Sequence, residues 1–138
     1  MEQMTETEQK KHYLKGYERA VRQMERSELR IRELRLNRIC PAVIADGMPH
    51  ASGGQDLSDF AAELDREERR YMKARYMRIK LCREIMDKIE RLPDEDEKDI
   101  LALRYIKLMK WEDICVEMNL SWRRIHYIHS DALKHFIL

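Results

Sequence analysis

The chain has 138 residues, of which 38% are charged and only seven are Gly or Pro; so few turn formers exclude sandwiches and barrels. A mean hydropathy of -0.72 excludes a large single core, and no apolar run approaches the ~20 residues of a membrane span. The formal net charge of +1 argues against a nonspecific polycation but conceals segregation, with ten Lys or Arg against four Glu over residues 10–38 and five acids against one Lys from Asp94 to Asp99.

The opening MEQMTETEQKK is polar and partly acidic, unlike the basic-then-apolar start of a signal peptide. Cys40, Cys82 and Cys115 are odd in number and lack CxxC pairing, which suits reduced thiols and a cytoplasmic location. Residues 8–38 read as one helix: Leu14, Tyr17, Val21, Met24, Ile31 and Leu34 recur at helical spacing, interrupted at Ser27 or Glu28. Gly16 is a local weakness costing up to ~1 kcal/mol relative to Ala. The basic character of this helix has two readings, an electrostatic aid to DNA binding or a solvated face opposing the acids of the next helix.

Cys40-Pro41 ends the pattern, because proline disfavours helix in the residue before it. Residues 40–56 read as a loop, with two prolines and three glycines between Pro41 and Gln55. A second helix is expected from about Leu57 to Leu92, N-capped by Asp56 or Ser58. Leu57, Phe60, Leu64, Tyr71, Ala74, Leu81, Ile85, Ile89 and Leu92 form its apolar stripe, interrupted by Glu67 and Arg78. The two helices match in length and suit an antiparallel, coiled-coil-like hairpin over residues 1–92. Periodicity leaves open whether the stripes pair within one chain or build a homo-oligomer.

Pro93 breaks the pattern, and Asp94, Glu95 and Asp96 suit the first turn of a new helix. Helices are expected at about 94–107, 111–118 and 122–136, with a connection at Leu108–Lys110 and no strand. Trp111, Ile114, Cys115 and Met118 share one face of the middle helix. Asn119 tolerates the left-handed backbone of a sharp turn, Leu120 plugs the turn, and Ser121 caps the last helix. There Ile125, Ile128, Ala132 and Leu133 face inward, while Trp122, Arg123, Arg124, His126 and Tyr127 face outward. A brace followed by a helix with adjacent exposed arginines is what a helix-turn-helix needs to reach base edges and phosphates. The candidate DNA-binding residues are therefore Ser121, Trp122, Arg123, Arg124, His126 and Tyr127, with His126 meeting phosphate and His129 near the domain edge.

His126 and His129 have a spacing that metal ligands use, but no second ligand pair accompanies them, so no metal is expected. No phosphate loop, GxSxG, HExxH or coherent Cys–His pair is present, so neither a cofactor nor enzymatic activity is expected.

The span from Leu92 to Phe136 resembles region four of bacterial sigma factors. The resemblance rests on Leu92-Pro93, Leu103-Arg104-Tyr105, Trp111-Glu112-Asp113-Ile114, Ser121 and Asp131-Ala132-Leu133. Leu108 and Asn119 stand where that family usually has Gly, and Lys110 where it has a Ser or Thr cap. The arrangement, with GMPHASGG at residues 47–54, also resembles small phage and prophage proteins of Gram-positive bacteria, relatives of which activate late genes. These resemblances imply an all-α protein with a helix-turn-helix domain over residues 93–138. They imply a phage-type transcriptional regulator with double-stranded DNA and RNA polymerase as partners. Nothing resembles region two, so a full sigma factor is not implied. A packaging adaptor of small-terminase type and a sigma mimic that binds polymerase without DNA are alternative functions.

Overall fold

The computed structural model describes residues 3–39 and 53–138. Among them the protein is all-helical. Its elements are α1 (Glu6–Leu14), α2 (Gly16–Ile39), α3 (Gly53–Ile89), α4 (Glu95–Leu101) with a π-helical turn (Ala102–Ile106), α5 (Trp111–Met118) and α6 (Trp122–His135). The GMPHASGG segment lies outside the described residues except for Gly53 and Gly54, which open α3.

The first expected helix is two. Thr5 caps α1 through a capping box, accepting from the Glu8 amide at 3.2 Å while the Glu8 carboxylate accepts from the Thr5 amide at 2.8 Å. The break falls at Lys15, beside the weak helix former Gly16. Correspondingly, α3 starts at Gly53, so Asp56 and Ser58 lie inside the helix and neither is its N-cap. Its first turn precedes the apolar stripe because opening residues need no buried face to be helical. At the other end α3 stops at Ile89, where Arg91 and Leu92 donate to Lys88 and Ile89 carbonyls in tightened 3₁₀-type bonds. The clash that Pro93 imposes on its predecessor explains the early stop.

The chain divides into two compact units, Met1–Ala20 with Arg78–Leu138, and Val21–Met77. This differs from the boundary at residue 93 that Pro93 suggests, because the first helix belongs with the last ones. In the first unit the buried Lys10 ammonium donates to the Leu133 carbonyl at 3.0 Å and lies 3.4 Å from that of Lys134, capping the end of α6. Tyr13 packs on Phe136 with ring centroids 6.2 Å apart, and the Lys88 ammonium lies over the Tyr13 ring, 4.3 Å from its centroid. Arg78, which interrupts the stripe of α3, donates to the Tyr17 hydroxyl at 3.3 Å. The pairs Tyr13–Lys88 and Tyr17–Arg78 run in opposite chain order, so these segments are antiparallel.

In the second unit Met24, Ser27 and Ala74 are buried, while Ile31, Leu34, Leu64 and Tyr71 are half-buried. Arg35 pairs with Glu68 at 3.1 Å, and Arg30 lies 3.9 Å from Glu67. These basic groups of α2 thus face acids of α3. Leu57, expected in the stripe, is exposed.

The terminal helices surround a small core of Ile100, Leu103, Ile114, Ile125 and Ile128, against which Met109, Trp111, Cys115, Met118 and Leu120 pack. Two residues here have left-handed backbone, Leu108 at φ 57° and Asn119 at φ 53°. Leu108 bears the greater strain, since a branched aliphatic side chain gains no local hydrogen bond in that conformation. Leu108→Gly is expected to raise stability by up to about 1 kcal/mol, seen as a higher midpoint in thermal unfolding. A lower midpoint would show that the half-exposed leucine contributes more by packing than its backbone costs.

Candidate nucleic-acid interface

The last two helices meet in a tight turn closed by backbone hydrogen bonds. Asn119 donates to the Val116 carbonyl at 3.2 Å and Leu120 to the Cys115 carbonyl at 3.1 Å, the paired bonds of a Schellman end. Leu120 then packs into the core cluster. Ser121 is extended and its hydroxyl accepts from the Arg124 amide at 3.2 Å, which starts α6 in a fixed direction. Lys110, by contrast, caps α5 without a side-chain bond.

On the first two turns of α6, Trp122, Arg123, Arg124 and Tyr127 are exposed, and the first turn has no acid. The Arg124 guanidinium lies 5.7 Å from the Tyr127 ring centroid, and Ser121, Arg123, Arg124 and Tyr127 line a shallow depression. Five of the six expected residues are therefore exposed, but only Ser121, Arg123, Arg124 and Tyr127 share that depression, and Trp122 lies apart from it against His126. The sixth, His126, is turned inward. Its ring lies between Trp111 at 4.6 Å and Trp122 at 4.4 Å, and its Nε2 is buried without a hydrogen-bond partner. It braces Trp122 and does not present that nitrogen to a phosphate. The reason is geometric: His126 follows the buried Ile125 by one residue, so it sits on the flank of the inward face.

His129 departs further from expectation. It is buried, not at the domain edge, and its Nε2 is 2.8 Å from the Tyr105 hydroxyl. Burial first, then electrostatic repulsion from the nearby Lys11, His126 and Arg104 side chains, pushes its pKa down to about 4. Burial likewise pushes Tyr105 up to about 12. Both groups are neutral near pH 7. Among the described residues no cluster of three His, Cys, Asp or Glu side chains has metal-binding geometry.

Sequence reasoning missed what supports this surface. Arg104 donates to the Met109 carbonyl at 3.0 Å and lays its guanidinium 4.5 Å over Trp111. Arg104, Trp111, His126 and Trp122 therefore form a continuous stack from the π-helical turn to the start of α6. Spacing gives no hint of it, since the stack joins three elements. In the acidic stretch, Glu97 is buried and accepts from His135 Nδ1 at 2.9 and 3.0 Å, tying α4 to α6. Asp94, Glu95, Asp96 and Asp99 are exposed.

The chain belongs to the family described as Protein of unknown function (DUF1492), whose model matches residues 61–136. That match takes in most of α3 together with all the terminal helices. Neither a curated protein nor a solved structure matches the chain. No helix among the described residues is long and apolar enough to cross a membrane.

Proposed function

We propose that this protein is a sequence-specific, non-enzymatic DNA-binding regulator of transcription, of phage or prophage type, in which α5, the Asn119 turn and α6 act as a helix-turn-helix. One observation carries the reading. A left-handed turn and a serine cap start α6 so that Arg123, Arg124 and Tyr127 are exposed around one depression in its N-terminal half. The N-terminal residues of a recognition helix are those that contact base edges in the major groove. Adjacent arginines supply one bidentate guanine contact and one phosphate contact. The exposed acids Asp94, Glu95, Asp96 and Asp99 repel phosphate, and we assign that face to a protein partner, RNA polymerase.

Recovery and sequencing of fragments bound from the host genome tests the reading. One short motif should be enriched, and Arg123→Ala/Arg124→Ala should weaken binding to it by about 100-fold, as expected for two contacts near 1–3 kcal/mol each. Recovery of RNA polymerase without any enriched DNA motif would refute the recognition helix and leave a sigma mimic. Assembly into a ring of many copies on DNA would indicate a packaging adaptor.

A further inference from the structure

A second charged surface lies on α3, away from the helices that carry the proposed recognition site in sequence. Residues 69–83, RRYMKARYMRIKLCR, contain seven Lys or Arg and no acid. Arg69, Lys73, Tyr76, Lys80 and Arg83 recur at i, i+4, i+7, i+11 and i+14, which places them in one row along a helix. All five are exposed, Tyr76 by 65%, and Met72 and Ile79 beside them are exposed as well. The opposite side of the same helix carries the buried Ala74, Ile85 and Ile89.

The cations in this row are largely unneutralised. Arg69 pairs with Asp65 at 3.1 Å across two exposed side chains, a contact weak enough to exchange for another anion. Arg70 pairs with Glu67 at 3.1 Å. Among the described residues, Lys73, Arg75, Lys80 and Arg83 form no ion pair. The basic groups of α2 differ, since Arg30 and Arg35 spend their charge on Glu67 and Glu68.

We propose that the row from Arg69 to Arg83 binds the phosphate backbone of duplex DNA, independently of sequence. The row is about 21 Å long at 1.5 Å per residue, enough to reach several successive phosphates of one strand. Long, flexible Lys and Arg stems suit a repeating anion whose register is not fixed, and exposed Tyr76 can lie against a sugar. A lipid surface fits less well. Membrane-lying helices bury a broad apolar face, and here that face is already used inside the protein. This surface goes beyond the reading of α6, since it supplies affinity where α6 would supply sequence choice.

The test uses the full chain and a labelled duplex of unrelated sequence, titrated between 50 and 200 mM KCl. With Lys73→Gln/Lys80→Gln/Arg83→Gln, the slope of log K against log salt should fall by about 2.7, from three phosphates at 0.9 each. Over that fourfold salt range the loss of affinity should then be about 40-fold smaller than for the unmodified chain. An unchanged slope overturns the proposal, as does loss of binding to phosphatidylglycerol vesicles with DNA binding kept. In the unmutated protein, duplex DNA should protect Lys73 and Lys80 from acetylation; equal labelling with and without DNA overturns it without relying on any variant. The Arg123→Ala/Arg124→Ala chain separates the two surfaces. If α6 reads no sequence, the salt slope from α3 persists and only the recognition-helix reading fails.

Discussion

A fragment of residues 93–138 is expected to unfold without a cooperative transition, although it contains the whole of α4, α5 and α6. The cut removes α1, and with it Lys10, whose ammonium caps the Leu133 and Lys134 carbonyls and is anchored by Glu6 at 2.8 Å. That ammonium also holds the Glu6 carboxyl below its ordinary range, by hydrogen bond first and charge second. Phe136, only 1% exposed, loses the Tyr13 ring that lies against it. Leaving one such aromatic uncovered costs about 1.5–3 kcal/mol. Leu14, Ile85, Ile89 and Leu92, buried in the same unit, go with the cut as well. Several losses of this size consume the 5–15 kcal/mol that stabilise an ordinary domain, and a remnant this short is in the range where single cores are marginal. In the full chain, Phe136→Ala is expected to cost about 3–5 kcal/mol. Circular dichroism during thermal unfolding checks both. A fragment melting cooperatively at the midpoint of the full chain would mean that α1 merely rests on a domain complete without it.

How much of this was legible in the sequence depends on the range of the interaction. The turn between α5 and α6 follows local rules, so Asn119, Leu120 and Ser121 have the roles their types and order predict. The apolar stripes also hold, because Leu14, Ile85, Ile89, Ile125 and Ala132 are buried as spacing requires. The docking of Lys10 on Leu133 joins residues 123 apart, and no local pattern encodes it. His129 is a different failure. It lies four residues after Ile125 and three before Ala132, squarely on the inward face, and its residue type alone suggested an edge position. A histidine can be buried when it is neutral and bonded, as Tyr105 allows here. The basic row on α3 escapes a count over that helix because Asp59, Glu63, Asp65, Glu67 and Glu68 precede it and cancel its charge. Only the order of the charges reveals it.

Stability is expected to fall by about 3 kcal/mol between pH 6.5 and pH 4 through His129 alone. Its pKa in the folded protein is about 4, against an ordinary value of 6.5. Above pH 6.5 the imidazole is neutral in both folded and unfolded chains and stability does not depend on it. Between pH 6.5 and 4 the unfolded chain takes up a proton that the folded chain refuses, so each pH unit favours unfolding by about 1.4 kcal/mol. Below pH 4 both states are protonated and the loss is complete. The refusal has identifiable causes in every element packed against the ring. Burial excludes water first, and electrostatic repulsion from Lys11 on α1, His126 on α6 itself and Arg104 on the π-helical turn adds to it, while the Trp111 ring covers the imidazole with centroids 4.7 Å apart. The Tyr105 hydroxyl cannot compensate, because with its pKa near 12 it is a neutral donor and not an anion. His129→Gln keeps a hydrogen-bonding group beside Tyr105 but cannot take up the proton. Urea unfolding at pH 7, 6, 5 and 4 should therefore show the native chain losing stability more steeply than the Gln variant, with the two profiles converging toward pH 4. Parallel profiles would mean that His129 is protonated at an ordinary pKa, and that water reaches the ring between α6 and the π-helical turn. The same titration bears on the interface, since His129 and His126 both contact Trp111. On the proposed reading of α6 as a recognition helix, a proton on His129 is expected to loosen the contacts that hold Trp122, so that DNA binding weakens with stability, not after it.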